Sequence, residues 1–339
     1  MKKTFKAAIL KTIKKKLEIV NIPIKNPKKN QILVKLSYTG ICKSQIMEID
    51  GKRENKKWLP HMLGHEGSGK VVKIGKGVKG FKVNDRVFLS WIKKNKKDCC
   101  NINYNSKKMK INAGKVTTFC THSIVSDNRA YHLPKSIDLK TGALLGCAFP
   151  TGFGMVLNSI SKKKTNKLLI IGLGGIGVSS LIAAIILGYK NVDVLEKNHF
   201  RIQNLKKIFK NKKINFFSSD YTIKMNNYDN IIETSGNEKI LSKSLNFVNN
   251  KGKVIFASHP DSKSKIKINP HDLIKGKKIA GSWGGNINFK KDLPQITKII
   301  KKSKFINKLF FDKIYNIYNI NKVINEFRKG KIIRPILKL

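Results

Sequence analysis

The sequence predicts an α/β protein in which a strand-rich, barrel-like domain is joined to a doubly wound parallel sheet. Three observations carry that prediction. Short β-prone runs crowd the first half of the chain, strands alternate with helices from about residue 165, and a glycine-rich turn, GLGGIG at 172–177, stands at the first strand-to-helix junction. A chain of 339 residues suits two domains. Its 40% apolar content is enough for proper cores.

The runs KAAIL, QILVKLSY, SGKVVKIG, DRVFLSW and THSIVS are short and bounded by Gly, Asn or Lys. That spacing predicts an antiparallel, barrel-like domain. The texture then changes. LLIIGLGGIGVSSLIAAIILG reads as a buried strand, a tight turn and a small-residue helix, and NVDVLE as a second buried strand. RIQNLKKIFK has helical periodicity, while YDNIIETSG and GKVIFAS are strand-like. Strands alternating with helices imply a parallel sheet covered on both faces. Toward the end, DLPQITKIIKK and NKVINEFRKG read as amphipathic helices and IIRPILKL as a closing strand.

Charge is the anomaly of this chain. Seventy basic against 20 acidic residues leave +50. A polyanion-binding arm would be blockwise, but here lysine is scattered through every segment with Asn and Ile, as in KKKTNKLLII. The charge is read as solvated surface, with no specific nucleic-acid partner and only salt-sensitive adhesion to polyanions. The start, MKKTFKAAILK, has too short an apolar stretch for a signal peptide. Residues 168–189 are uncharged and long enough to span a bilayer, but glycines interrupt them after four apolar residues. No membrane partner and a cytoplasmic location are expected. Five cysteines in so long a chain form no disulfide framework.

GLGGIG fits G-x-G-x-x-G with a strand before it and a helix after it. Gly172 permits the tight turn, Gly174 lets the backbone approach a pyrophosphate, and Gly177 lets helix and strand pack closely. The amides at the head of the helix, at Gly175 and Ile176, attract phosphate. An acid is expected about 20 residues on, and Glu196 ends NVDVLE 19 residues after Gly177. Its carboxylate can accept ribose hydroxyls and repels a 2′-phosphate, so NAD is favoured over NADP. Lys197 and Arg201 nearby could tolerate a phosphate.

Three further segments are the most specific: TGICKSQ at 39–45, LGHEGSGKVVKIGKGVKGFKVNDRV at 63–87 and GALLGCAFPTGFG at 142–154. With them the chain closely resembles, over nearly its whole length, the zinc-dependent medium-chain alcohol dehydrogenase/reductase family. The resemblance implies zinc ligands at Cys42, His65 and Cys147. Two thiolates and an imidazole also suit Zn²⁺ on chemical grounds and leave a fourth tetrahedral position open. By the same resemblance Glu66 lies near the zinc and Ser44 takes the alcohol proton. Thr151 and Ile176 would back the nicotinamide, Trp91 narrows the substrate pocket, and Phe256 and Trp283 face ligand or cofactor. Lys43 and Arg334 match basic positions that contact the pyrophosphate. Two departures stand out. Gln45 replaces an Asp that in many relatives hydrogen-bonds the ligand histidine, which predicts lower metal affinity. Met47 replaces the histidine that ends the proton relay in some.

The resemblance also implies a GroES-like barrel, residues 1–148 and 284–339, with a Rossmann cofactor domain, residues 149–283, inserted between them. The chemistry would lie in the cleft between the two, and the cofactor domains would pair into a homodimer. The expected reaction is NAD-dependent oxidation of an alcohol to an aldehyde or ketone. Polyol or sugar-alcohol and hydroxymethylglutathione substrates are alternatives within the family. A non-enzymatic, NADH- and polyanion-binding relative is the alternative outside enzymology. Many relatives hold a second, structural zinc on four cysteines spaced C-x₂-C-x₂-C-x₇-C. The matching lobe here, about 93–112, has only Cys99 and Cys100, so one catalytic zinc per chain and no structural zinc are expected.

Overall fold

Alternating inward apolar residues build the first of two units in this computed structural model, which describes residues 3–53, 56–94, 97–99, 102–106 and 109–339. That unit comprises residues 1–147, 311–329 and 334–339. Its five-stranded sheet runs Glu18–Pro23, Thr4–Leu10, His61–Met62, Met109–Gly114 and Ile102–Ser106. The larger sheet orders Ala130–His132, Arg86–Ser90, Glu66–Ile74, Gln31–Gly40, Ile336–Lys338 and Ile314–Asn316, with His122–Ser126 also on Gln31–Gly40. Phe5, Ala7 and Ile9 alternate into the core with Ile32, Val34, Val87 and Leu89, as period-two strands require. Cys120 is part of that core, and burial pushes its thiol up to about 12.

The lysine- and asparagine-rich stretch after Trp91 holds more structure than its composition suggests. Ile102–Ser106 and Met109–Gly114 form an antiparallel hairpin. Ile102, Tyr104, Ile111 and Ala113 point into the core, and the Tyr104 hydroxyl accepts the Ile124 N–H at 3.0 Å. Asp98 takes both Nε and Nη2 of Arg129, at 2.7 and 2.6 Å, and this pairing holds its carboxyl below the usual range. Cys99 is exposed and unpaired as a disulfide; Cys100 lies outside the described residues.

The closing strand fixes the far end of the chain. Ile336, Leu337 and Lys338 pair antiparallel with Gly40, Thr39 and Tyr38. This brings Arg334 and Pro335 beside the turn that follows Gln31–Gly40.

The second unit comprises residues 148–310 and 330–333. Six parallel strands lie in the order Ile214–Phe217, Asn191–Leu195, Lys167–Ile171, Tyr228–Glu233, Val248–Phe256 and Lys278–Gly281. Numbered along the chain this is 3-2-1-4-5-6, the doubly wound order that reverses beside its first strand. The central strands Lys167–Ile171 and Tyr228–Glu233 are buried along most of their length, as strands covered on both faces are.

The expected return to the first domain at residue 284 is placed too early. Residues 284–310 group with the second unit. The helix Phe289–Lys302 buries Phe289, Ile296 and Ile299. Phe305 packs on Phe209 and Phe310 on Phe149, at 4.6 and 5.3 Å between ring centres. An amphipathic pattern shows that a face is buried but not what buries it, so the boundary had to come from packing. Among the described residues no helix is long and apolar enough to cross a membrane.

His61, on the middle strand of the smaller sheet, gives a pH prediction. Burial lowers it from 6.5 to about 4. A histidine depressed in the folded state lets the unfolded chain bind the extra proton, so stability falls as pH drops from 6.5 toward 4. A shift of this size corresponds to about 3 kcal/mol. Glu48, 3.8 Å away and raised by burial, acts in the opposite direction. Urea midpoints measured from pH 7 to 4 should therefore fall more steeply in wild type than in His61→Gln.

Candidate metal centre and nucleotide-binding turn

Each of the three candidate ligands is set by a different local device, all within the first unit. Cys42 caps the helix Lys43–Ile49, with extended backbone angles of −94° and 153°. The Ile41 N–H donates to the Pro335 carbonyl at 2.9 Å, so the C-terminal strand pins this turn. His65 follows Gly64, whose φ of +90° suits glycine. A Cβ there would also press on Thr118 and Phe119. Cys147 ends the turn Leu144–Gly146, and the Ser90 hydroxyl donates to the Gly146 carbonyl at 2.7 Å. The result brings the Cys42, His65 and Cys147 ligand atoms within 4.8 Å of one another.

Behind the ligands lies Glu66, fully buried. Arg334, 3% exposed, donates its Nε to Glu66 Oε1 at 2.7 Å. The Glu66 carbonyl accepts from the hydroxyls of Thr39 and Thr118, at 2.8 and 3.1 Å. A Cβ on Gly40 would drive into the Glu66 carboxylate, and one on Gly146 into the Glu66 side chain and the Leu89 carbonyl. These two glycines, two and one residues before the ligand cysteines, clear the space that Glu66 fills. Sequence reading passed over both, although their signal is present in TGIC and LGC.

The electrostatics favour an anionic sulfur. A hydrogen bond from Cys147, helped by Arg334 and His65, outweighs burial and holds the Cys42 thiol well below the ordinary range. Facing that thiolate, Cys147 is pushed well up. Burial works against the charge of Arg334, but Cys42, Glu66 and Cys147 together hold it well above the usual arginine value.

Zinc fits these residues. His65 Nδ1 is engaged by Gln45, while Nε2 is buried with no hydrogen-bond partner. A partnerless imidazole nitrogen beside two sulfurs is accounted for by a metal. Ser44 Oγ is likewise buried without a partner, as an open site for a substrate hydroxyl would leave it. Trp91 is half-buried at the end of Arg86–Ser90, with its carbonyl on Arg129. Lys43 is exposed, and Met47 is buried on the ligand helix. Arg334, expected on a pyrophosphate, is held in the first unit by Glu66.

In the second unit the glycine turn takes the form a dinucleotide needs. Gly172 has φ of +82°. A Cβ on Gly177 would collide with the Gly172 carbonyl, whereas one on Gly174 would meet nothing within 4 Å. The open position precedes the helix Gly175–Ile186, whose first amides are free for phosphate. Gly152 packs against Ile176 and Ser179, bringing Thr151 close to the head of this helix. Glu196 does more than face a ribose. Its Oε2 accepts the Leu173 N–H at 2.7 Å, inside the glycine turn, and Arg201 Nη1 pairs with it at 3.1 Å. Oε1 accepts the Asn198 N–H at 3.0 Å. A nicotinamide dinucleotide fits this turn and acid.

Comparison with known proteins agrees with this geometry. A family model described as an alcohol dehydrogenase GroES-like domain matches residues 28–135. The chain is 24% identical to "Alcohol dehydrogenase class-3" of Caenorhabditis elegans, covering 98% of this chain and 96% of that protein. It is 23% identical to an Escherichia coli "S-(hydroxymethyl)glutathione dehydrogenase", over 98% and 99%. Among solved structures, benzyl alcohol dehydrogenase from Acinetobacter calcoaceticus superposes with a TM-score of 0.87 at 25% identity, over 99% of both chains.

The packing around Glu66 predicts that Gly146→Ala loses metal as well as stability. The added methyl should cost about 1–3 kcal/mol by overpacking and displace Cys147. Gly174→Ala, into open space, should leave both unchanged. Zinc retained after dialysis, with urea midpoints for the two variants, checks this.

Proposed function

We propose that this chain is a member of the zinc-dependent medium-chain alcohol dehydrogenase family and interconverts an alcohol and its aldehyde or ketone by hydride exchange with NAD. The observation that carries the reading is the convergence of Cys42, His65 and Cys147 with a buried, partnerless His65 Nε2. Zinc held there would supply a Lewis acid that makes an alcohol hydroxyl acidic near neutral pH. A nicotinamide would supply the hydride acceptor.

The chain's own residues supply the rest. Two thiolates and a neutral imidazole balance a dication, leaving the site near neutral. Arg334 favours the Cys42 thiolate and pairs with Glu66. Ser44 would accept the alcohol proton, a role that its buried, partnerless Oγ supports. With Met47 where some relatives carry a histidine, that proton passes to water. In the second unit the turn at Gly172, Gly174 and Gly177, with Gly175 and Ile176, would hold the pyrophosphate, and Thr151 the nicotinamide side. Lys43 would add positive charge for the phosphates, and Trp91 would limit the alcohol.

Glu196 supports NAD. A 2′-phosphate would approach a buried carboxylate that already holds the turn through the Leu173 N–H. Arg201 is committed to Glu196 and to the Gly330 carbonyl. A homodimer through the second units is part of the reading, supported by the edge strand Lys278–Gly281, whose strand partner is Val248–Phe256.

Metal analysis with an alcohol panel tests the reading. Zinc should approach one per chain, with NAD-dependent turnover of at least one alcohol. No turnover, together with RNA binding at physiological salt, would replace it with the polyanion-binding reading that the +50 charge raises. Glu196→Ala should lower the NAD/NADP ratio of kcat/KM about 10- to 100-fold, the worth of a hydrogen bond to a charged group.

A further inference from the structure

Gln45 stands between two of the ligands and has one oxygen for two claims. At the third position of the helix Lys43–Ile49 its side chain folds back, and Oε1 accepts the Cys42 N–H at 2.9 Å. Its Nε2 then faces His65 Nδ1 at 2.5 Å. Gln45 is 1% exposed, so water does not relieve either contact. An amide NH₂ only donates, so Nδ1 must be the lone-pair nitrogen and the ring proton must sit on Nε2.

With Nδ1 taken, Nε2 is the nitrogen left for a metal, and it needs a lone pair to bind one. The ring stays neutral, but its proton must move to Nδ1, where it meets the Gln45 NH₂. Turning the amide over shifts this conflict without removing it. Oε1 would then accept from Nδ1–H, and the NH₂ would point at the Cys42 N–H. In either orientation one donor faces another. A carboxylate has two accepting oxygens and serves both claims at once.

We propose that Gln45 is a positioning residue that favours the metal-free form, because zinc entry at His65 breaks the hydrogen bond that caps Cys42, the first ligand. The site is then weaker and more exchangeable than the same site with a carboxylate at position 45. The inference rests on the zinc-site reading above, and its test separates the two.

Gln45→Glu is the isosteric variant. Its zinc dissociation constant, from competition with a chromophoric chelator, should be 10- to 100-fold lower than that of wild type, the range typical for groups that orient a ligand histidine. A negative charge would itself attract a dication, so the deciding readout is the His65 tautomer from imidazole ¹⁵N shifts at pH 8. Metal-free wild type should carry its proton on Nε2 and move it to Nδ1 on binding zinc. Metal-free Gln45→Glu should carry it on Nδ1 already. Equal affinities, tighter binding with no tautomer difference, or Nδ1–H in the metal-free wild type would each overturn the proposal while leaving the zinc site in place. If neither protein binds zinc in competition, the metal-site reading falls with it.

Discussion

The buried pair of Glu66 and Arg334 is the constraint on which the metal corner depends. Both side chains are nearly inaccessible, and the Nε–Oε1 contact is 2.7 Å. Burying two charges is expensive, and such a pair adds little net stability. What it fixes is position. Glu66 directly follows the His65 ligand, Arg334 precedes the strand that pins the Cys42 turn, and the Glu66 side chain fills the space beside Gly40 and Gly146. One ion pair thus sets the approach of all three ligand segments, which lie far apart in sequence.

The nucleotide turn repeats the device with different chemistry. Glu196 reaches back from the end of the second strand to the Leu173 N–H, so the acid that would read a ribose also shapes the loop that would hold the phosphates. Arg201 offsets its charge and ties it to the Gly330 carbonyl. In both units a buried carboxylate opposed by an arginine stiffens backbone that would otherwise be a loop.

Much of this was legible in sequence, and what was not has physical causes. Cys42, His65 and Cys147 could be picked out because the segments that carry them resemble those of a known family, and the glycine turn because a strand precedes it and a helix follows. Gly40 and Gly146 stand beside those cysteines in sequence, but the reason each is small, the Glu66 side chain it faces, belongs to the fold. Arg334 was expected on a pyrophosphate, and the burial that sets it against Glu66 instead belongs to the fold. The hairpin at 102–114 was hidden by its lysines and asparagines, although Ile102, Tyr104, Ile111 and Ala113 alternate as a strand pair should. The boundary at 310 turned on which surface Phe289, Ile296 and Ile299 cover.

The organising role of the ion pair can be measured directly. A double-mutant cycle on zinc-stripped protein, with Glu66→Gln, Arg334→Met and both together, gives their coupling from urea unfolding. Each single change leaves a buried charge alone and should cost about 3–5 kcal/mol, with the double costing well under the sum. Single costs that simply add would show that the two residues do not act as a pair, and would contradict this account of how the ligands are brought together.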